Sequence, residues 1–149
     1  YYLINVMGNY QIDRKKIWKS PTTLVLELFT KFHKGLILKS KIITEKFYSP
    51  RLGKQPIYKN NKLIDACVTF NKKQICLSVV NKSENKNVKL KTPYLKKIEK
   101  TYLINGANKT DKNNYKNLKK VFIQNNKLKI NSEFITLPPH SINIILFKI

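Results

Sequence analysis

The closing stretch "LPPHSINIILFKI", residues 137–149, decides the fold because it is apolar on both faces of a strand. At the strand period of two, each face carries three large apolar side chains. One set is Ile142, Ile144 and Leu146, and the other is Ile145, Phe147 and Ile149. A strand of this kind needs cover on both faces. One cover is an opposite sheet, and the other must be something else.

The stretch "SPTTLVLELFTKFHKG", residues 20–35, predicts one helix. Ser20 stands at the N-cap position and Pro21 at the first helical position. Four apolar residues follow the i, i+3, i+4, i+7 spacing of a buried face, and two leucines widen it. The four are Val25, Leu28, Phe29 and Phe32, and the two leucines are Leu24 and Leu26. The last turn carries His33 and Lys34, and Gly35 offers a left-handed C-cap.

The rest of the chain predicts short strands and polar loops. The opening residues are apolar, which is typical of the end of a buried strand, and a polar segment follows them. Residues 36–44, 87–92 and 97–106 predict strands, the last closed by an Asn105-Gly106 turn, and residues 45–60 and 107–118 predict loops.

Residues 63–70 and 74–80 predict a hairpin with Asn71-Lys72 as its two-residue turn. In that register the apolar faces coincide, because Ala66 lies opposite Leu77 and Val68 opposite Ile75. It also places Cys67 opposite Cys76. The two alternatives are a disulfide, which opposed strand positions seldom suit, and two small half-buried thiols. The spacing of these cysteines matches no zinc pattern.

A second hairpin is predicted around Asn125-Asn126, between "VFIQ" and "KLKI". It would place Val121 and Ile123 opposite Ile130 and Leu128. With eight or nine short strands, the chain predicts a mainly β fold, a two-sheet antiparallel β-sandwich. The leading strand and helix do not belong to that architecture and are typical of the tail of another domain.

The 149-residue chain carries a net charge of +22, which favours an anionic partner. Only Arg14 and Arg51 of its 30 basic residues are arginine, although arginine is favoured for bidentate phosphate contacts. We therefore expect weak, salt-sensitive adhesion to polyanions and no specific nucleic-acid site. No apolar run is long enough for a membrane span and no signal peptide is visible, so the expected location is cytoplasmic. The missing initiating Met indicates a fragment or a truncated reading frame.

Three segments carry a resemblance to a known family. They are "SPTTLVLELFTKFHKG", "IDACVTFNKKQICLSVVNKS" and "LPPHSINIILF". In this order they resemble the C-terminal end of α-L-arabinofuranosidases of glycoside hydrolase family 51. Ser20 stands where that family often has Thr, and the loop at 107–118 lacks the family's usual His-Asn-Thr run.

The resemblance implies a division of the chain at residue 36. Residues 1–36 would be the last strand and helix of a (β/α)8 barrel, and residues 37–149 a jelly-roll-like C-terminal β-sandwich domain. The helix would pack on the outside of the barrel, and the second face of the last strand would fit against that barrel or that helix. The implied partner is the missing catalytic barrel, with a homo-oligomer as a further expectation.

Retaining glycosidases use two carboxylates about 5–5.5 Å apart. The resemblance places both of them on barrel strands before Tyr1, so we expect no catalytic, substrate-binding or metal-binding residue in this chain and no cofactor. The acids of the chain are Asp13, Glu27, Glu45, Asp65, Glu84, Glu99, Asp111 and Glu133. Glu27 falls on the polar face of the helix and is expected to be solvated.

Two histidines and an aromatic cluster are the remaining candidates. His33 fits a helix C-terminus, His140 follows two prolines in a turn, and structural roles are expected for both. Trp18, with Tyr1, Tyr2 and Tyr10, suits either a sugar-facing platform or a hydrophobic anchor before the helix. The motifs "NKS" at 81–83 and "NKT" at 108–110 match the glycosylation pattern.

The function predicted from these observations is that of an accessory domain. The domain would stabilise the barrel of an enzyme that removes terminal arabinofuranosyl groups from plant polysaccharides. The alternatives are a stand-alone β-sandwich binding module for carbohydrate or a polyanion, and a remnant of a decayed gene. A binding module would need exposed aromatic side chains on one sheet face, whereas the alternation places mostly Lys, Thr, Ser and Asn outside.

Overall fold

The computed structural model describes residues 4, 8–13, 15–51, 53–54, 56–92, 97–131 and 133–149. Within these residues the chain forms one helix and thirteen strands. They are β1 (Tyr10–Asp13), β2 (Lys16–Lys19), α1 (Pro21–Phe32), β3 (Leu36–Leu38), β4 (Lys46–Ser49), β5 (Tyr58–Lys62), β6 (Ile64–Asn71), β7 (Gln74–Asn81), β8 (Val88–Leu90), β9 (Ile98–Asn105), β10 (Phe122–Asn125), β11 (Lys129–Ile130), β12 (Ile135–Leu137) and β13 (Ser141–Lys148).

Two antiparallel sheets form the β-sandwich that the sequence predicts. A six-stranded sheet has the order β10-β9-β13-β7-β6-β3, and a three-stranded sheet has the order β11-β12-β8. Their facing side chains share one cluster, here called the inter-sheet core. Its buried members are Ile64, Leu77, Val79, Leu103, Leu128, Ile135, Leu137, Ile145 and Phe147.

Strand β13 lies inside the six-stranded sheet and is covered on both faces. Ile145 and Phe147 belong to the inter-sheet core. The opposite face contributes to a second cluster, here called the helix core, which α1 covers. Its buried members are Leu24, Leu28, Cys76, Tyr102, Ile104, Val121, Ile144 and Leu146. The expected double cover of the last strand is therefore confirmed, and the second cover is the helix.

Helix α1 begins as predicted, because Ser20 is its N-cap and Pro21 its first residue. Its buried face is centred on Leu24 and Leu28, and Val25, Phe29 and Phe32 pack against the helix core at its margin. Leu26 is 46% exposed, so it does not widen that face.

The end of the helix differs from the prediction. His33 is the C-cap, so the last turn stops one residue before it, and Gly35 lies two residues beyond the cap. Gly35 does have the positive φ expected of it, +82°. Its stronger requirement is space, because a Cβ at this position would lie 2.2 Å from the carbonyl oxygen of Phe70 in β6.

The first predicted hairpin exists as β6 and β7, but its register is displaced by two residues. Ala66 pairs with Val79 and Val68 with Leu77, so the apolar faces still coincide. The turn is Lys72-Lys73, because the Asn71 side-chain oxygen accepts the amides of Lys73 and Gln74 and so fixes Asn71 as the residue before the turn.

The displaced register also decides the cysteine question. Cys67 pairs with Ser78, and Cys76 with Thr69, so the two thiols are diagonal neighbours and both are free. Burial, together with the neighbouring Cys67, raises the pKa of the Cys76 thiol to about 12. The structure therefore contains two free thiols at these positions and no disulfide between them.

The second predicted hairpin is wrong. Strand β10 pairs with β9 in the six-stranded sheet, whereas β11 pairs with β12 in the three-stranded sheet. The chain crosses between the sheets at Asn126, which has φ +51°. The amide of Asn126 donates to the Thr101 carbonyl, and its side-chain oxygen accepts the Thr101 amide. Asn126 is thus hydrogen-bonded to β9. In the predicted hairpin it would have been part of a turn that joins two paired strands.

Three further segments depart from the sequence prediction. The polar segment after the opening forms the β1–β2 hairpin, and the predicted loop at 45–60 holds β4 and the beginning of β5, which pair with each other. Of the strand predicted at 36–44, only β3 pairs with a neighbour. The predicted opening strand lies mostly outside the described residues. Within the part of the chain that the structure describes, no helix has the length and apolar content to cross a bilayer.

Two of the segments that carry the family resemblance meet at one end of the sandwich. The buried Asn81 side chain donates to the carbonyls of Leu137 and Pro138, 3.2 and 2.8 Å away. The His140 amide donates to the Ser83 carbonyl at 2.7 Å. The "VNKS" and "LPPHS" motifs therefore form one hydrogen-bonded corner. Because Asn81 is 1% exposed and its amide is used, it is not available as a glycosylation acceptor.

Candidate functional site

The candidate site is the surface at the N-terminal end of α1, where three separate segments meet. The β1–β2 hairpin leads directly into the Ser20 cap, whose side chain accepts the Thr23 amide at 3.3 Å. The Ser20 amide donates to the Asn9 carbonyl at 2.9 Å, and the Thr23 hydroxyl donates to the same carbonyl. The helix therefore begins at a fixed position relative to the segment before it.

Asn113 joins this end of the helix to the polar loop. Its side-chain amide donates to the carbonyls of Lys19 and Val121 at 3.0 and 2.9 Å, and its oxygen accepts the Val121 amide at 2.7 Å. The indole of Trp18 donates to the Asn113 carbonyl at 3.1 Å. The half-buried Trp18 is thus an anchor before the helix. Sequence reasoning missed Asn113, because nothing local distinguishes it from the other asparagines of the loop.

A cleft of about 360 Å³ lies between the first turn of α1 and the ends of β9 and β13. Pro21, Thr22 and Val25 line one side of it. The other side combines the apolar side chains of Ile104, Val121 and Ile142 with polar residues that include Lys109, Asp111 and His140. Gly106 leaves no room for a side chain, since a Cβ there would lie 2.6 Å from the Asp111 Cβ.

Asp111 holds the loop that contributes polar residues to this cleft. One of its oxygens lies 2.7 Å from the Lys120 ammonium, and the other accepts the Asn108 amide at 3.1 Å. The bond to Lys120, followed by the bond from the Asn108 amide, lowers the pKa of the Asp111 carboxyl below its ordinary value. The carboxylate is therefore ionised and already paired, which suits a structural role more than proton transfer.

His140 is held by backbone carbonyls at both ring nitrogens. Nδ1 lies 3.2 Å from the Glu84 carbonyl oxygen, and Nε2 lies 3.1 Å from the Gly106 carbonyl oxygen. The residue has φ +38°. These contacts join the ends of β7, β9 and β13, so the arrangement fits the structural role predicted for His140.

His33 also has structural neighbours. Its Nδ1 lies 3.0 Å from the Thr69 hydroxyl, and its ring lies against Phe29 at a centroid distance of 4.6 Å. Burial lowers the pKa of His33, so the imidazole is neutral at pH 7 although it caps a helix C-terminus. Nε2 is buried and has no hydrogen-bond partner among the described residues.

The acids that the sequence presents as candidates are dispersed over the surface. Four of them form ion pairs with lysines: Lys19–Glu27, Lys82–Asp65, Lys109–Glu84 and Lys120–Asp111. The others, Asp13, Glu45, Glu99 and Glu133, are exposed. Among the described residues Asp111 is the one carboxylate that lines the cleft beside α1. The absence of a catalytic pair from this chain stays a prediction, and Tyr1 and Tyr2 lie outside the described residues.

The geometry defines a helix-flanked β-sandwich whose motifs serve packing and hydrogen bonding. The family model of the α-L-arabinofuranosidase C-terminal domain matches residues 2–141, and the chain belongs to this family. A comparison of the sequence with curated proteins finds no match.

Solved structures share this fold. The α-L-arabinofuranosidase of Thermotoga maritima in complex with arabinose has a TM-score of 0.83 and 20% identity, over 99% of this chain and 33% of that one. The family 51 enzyme of Thermotoga petrophila has a TM-score of 0.84 and 20% identity, over 98% of this chain and 32% of that one. The family 51 enzyme AbfB of Bifidobacterium longum has a TM-score of 0.81 and 20% identity, over 98% of this chain and 28% of that one. The chain thus spans about a third of the length of the enzymes it matches.

Proposed function

We propose that this chain is the C-terminal accessory domain of an α-L-arabinofuranosidase-like glycoside hydrolase that acts on arabinose-containing polysaccharides. The catalytic carboxylates of that enzyme lie in a (β/α)8 barrel outside this sequence. Residues 1–36 supply the last strand and helix of the barrel, and residues 37–149 form the sandwich that braces it.

The observation that carries this proposal is the helix core. Because the buried face of α1 shares the helix core with residues of β7, β9 and β13, a barrel that includes α1 would be joined to the sandwich through this core. Helix α1 and the strand before it, β2, also expose apolar side chains, with Leu26 of α1 46% exposed and Ile17 of β2 63% exposed. A barrel packed against these side chains would cover both residues.

The test is the intact mass of the protein in its source, detected with an antibody raised against this chain. We expect a mass several times 17.5 kDa, and immunoprecipitated material that hydrolyses 4-nitrophenyl α-L-arabinofuranoside. The purified 149-residue chain is the matched control and should not hydrolyse it. A native mass near 17.5 kDa, or a large protein without this activity, would contradict the proposal.

A further inference from the structure

The outer face of the three-stranded sheet carries an ordered set of lysines around one aromatic ring. The inner face of this sheet is the one that packs into the inter-sheet core. Ile135 and Leu137 of β12 belong to that core, and Val88 and Leu90 of β8 pack against it. Because side chains alternate along a strand, the residues between them point to the opposite, outer face.

The register places these outer residues side by side. Lys129 of β11 pairs with Thr136 of β12, and Thr136 pairs with Lys89 of β8. With strands about 4.8 Å apart, the two lysine positions lie roughly 10 Å from each other across the sheet. Phe134 lies just before β12, two residues from Thr136, and its ring has the Lys89 and Lys91 ammonium groups 4.9 and 5.3 Å from its centroid. We call Lys89, Lys91, Lys129, Phe134 and Thr136 the lysine face.

The charge of this face is not balanced within the described residues. The ion pairs found there involve Lys19, Lys82, Lys109 and Lys120, and none involves a lysine of this face. The three lysines of the face are exposed, and the acid that neighbours them in sequence is the exposed Glu133. Positive charges at this spacing repel one another, and the repulsion is relieved by a bound anion.

We propose that the lysine face binds an acidic polysaccharide, a sugar chain that carries carboxylates. The ring of Phe134 offers an apolar surface to a sugar ring, and contacts with the ring hold the flexible lysines around it. Ammonium groups on either side of Thr136 reach carboxylates at different positions along the chain. The Thr136 hydroxyl can bond a sugar hydroxyl.

A sugar carboxylate fits this face better than a nucleic-acid phosphate does. Lysine is a flexible point charge, whereas arginine supplies the bidentate fork that recognises phosphate, and the face contains no arginine. The choice of a sugar also rests on the proposed function, because an enzyme that removes neutral arabinofuranosyl groups is helped by a hold on an acidic backbone that bears them. The face lies on the sandwich, away from the cleft beside α1.

The test is affinity electrophoresis of the 149-residue chain in gels that contain polygalacturonate, at 50 mM and 300 mM salt. Lys89→Gln/Lys91→Gln should weaken binding about tenfold at the lower salt, since two charge-assisted contacts are lost. Lys72→Gln/Lys73→Gln in the β6–β7 turn removes the same charge at a distance and should weaken binding less than about twofold. Glu133→Gln should strengthen binding. Trp18 fluorescence verifies that each variant is folded.

The alternative partners appear as distinct outcomes. Neutral arabinan should not be retarded, and Phe134→Leu should weaken retardation by polygalacturonate although it leaves the charge unchanged. Equal losses from the two double-lysine variants would overturn the proposal in favour of general adhesion by charge. A single-stranded oligodeoxynucleotide of equal charge that binds this face more tightly would overturn the assignment to sugar. Because no hydrolysis is measured, failure here is separate from failure of the proposed arabinofuranosidase activity.

Discussion

Asn113 is the residue on which the junction between the polar loop and the helix depends most. Replacement by Ala would remove bonds to the Lys19 carbonyl and to both backbone groups of Val121. Since the amide and carbonyl of the buried Val121 would lose their partner, we expect a loss of about 3 kcal/mol in the free energy of unfolding. The emission of Trp18, the single tryptophan of the chain, should also shift to longer wavelength. Urea titration followed by fluorescence measures both effects.

The matched control for this change is Asn87→Ala. Asn87 is exposed, so its replacement should change the free energy of unfolding by less than about 0.5 kcal/mol. A loss at Asn113 no larger than the loss at Asn87 would show that the junction does not depend on this side chain.

Asp111 makes the stability of the same loop depend on pH. Its folded pKa is lowered by Lys120 and then by the Asn108 amide, so its ionised form is the form that the fold favours. The stabilisation is therefore complete above the unfolded pKa, about 3.9, and is lost as pH falls through the lower folded pKa. In urea titrations the difference between the wild type and Asp111→Asn should be constant from about pH 5 to 7 and should close below about pH 4.

A second variant makes this pH prediction specific. Lys120→Met removes the same interaction from its other end, so its difference from the wild type should close over the same pH range. A difference that persists at the lowest pH for both variants would mean that lost packing, and not the charge of Asp111, is responsible.

At the scale of elements, α1 stabilises the molecule through one narrow stripe. Leu28 is 3% exposed and belongs to the helix core, whereas Leu26 is 46% exposed. Leu28→Ala should lower the free energy of unfolding by about 3 kcal/mol, because it leaves a cavity in the helix core. Leu26→Ala is a change of the same size and should cost less than about 0.5 kcal/mol. Thermal or urea unfolding compares them, and equal costs would contradict the position of the helix described above.

The elements with a strong local signal were predictable, and those decided by distant contacts were not. The cap at Ser20 and the apolar period of β13 act within a few residues, and the structure has both. The register of β6 and β7 depends on whether Asn71 is the residue before the turn or the first residue of the turn. The hydrogen bonds from the Lys73 and Gln74 amides to its side chain decide this. The crossing at Asn126 depends on Thr101, which is 25 residues away. A short apolar strand beside an asparagine pair does not reveal such a partner.

The candidate site shows the same limit. Trp18 stands out in the sequence, but its partner Asn113 is 95 residues away and lies in a run of similar residues. His140 was predictable as a turn residue, but not the two carbonyls that hold its ring. Sequence patterns therefore identify the anchors of this surface more readily than the backbone groups to which they bind.

At the scale of the whole molecule, charge and uncovered apolar surface act against each other. The net charge of +22 keeps copies of the chain apart. The edge strand β3 favours association, since Leu36 and Ile37 are 70% and 76% exposed and its outer side pairs with no strand of the described residues. Which tendency prevails depends on salt, because salt screens the repulsion and leaves the apolar attraction intact.

We therefore expect the purified chain to self-associate more strongly as salt increases, as measured by sedimentation velocity at about 20 mM and about 500 mM NaCl. Ile37→Lys should reduce the association at high salt, because it places a charge on the open edge of the sheet. Ile43→Lys adds the same charge at an exposed residue outside the strands and should have the smaller effect. Monomers at both salt concentrations, or equal effects of the two variants, would show that this edge does not drive association. If the edge does drive it, a longer protein whose additional residues cover β3 should remain monomeric under the same conditions.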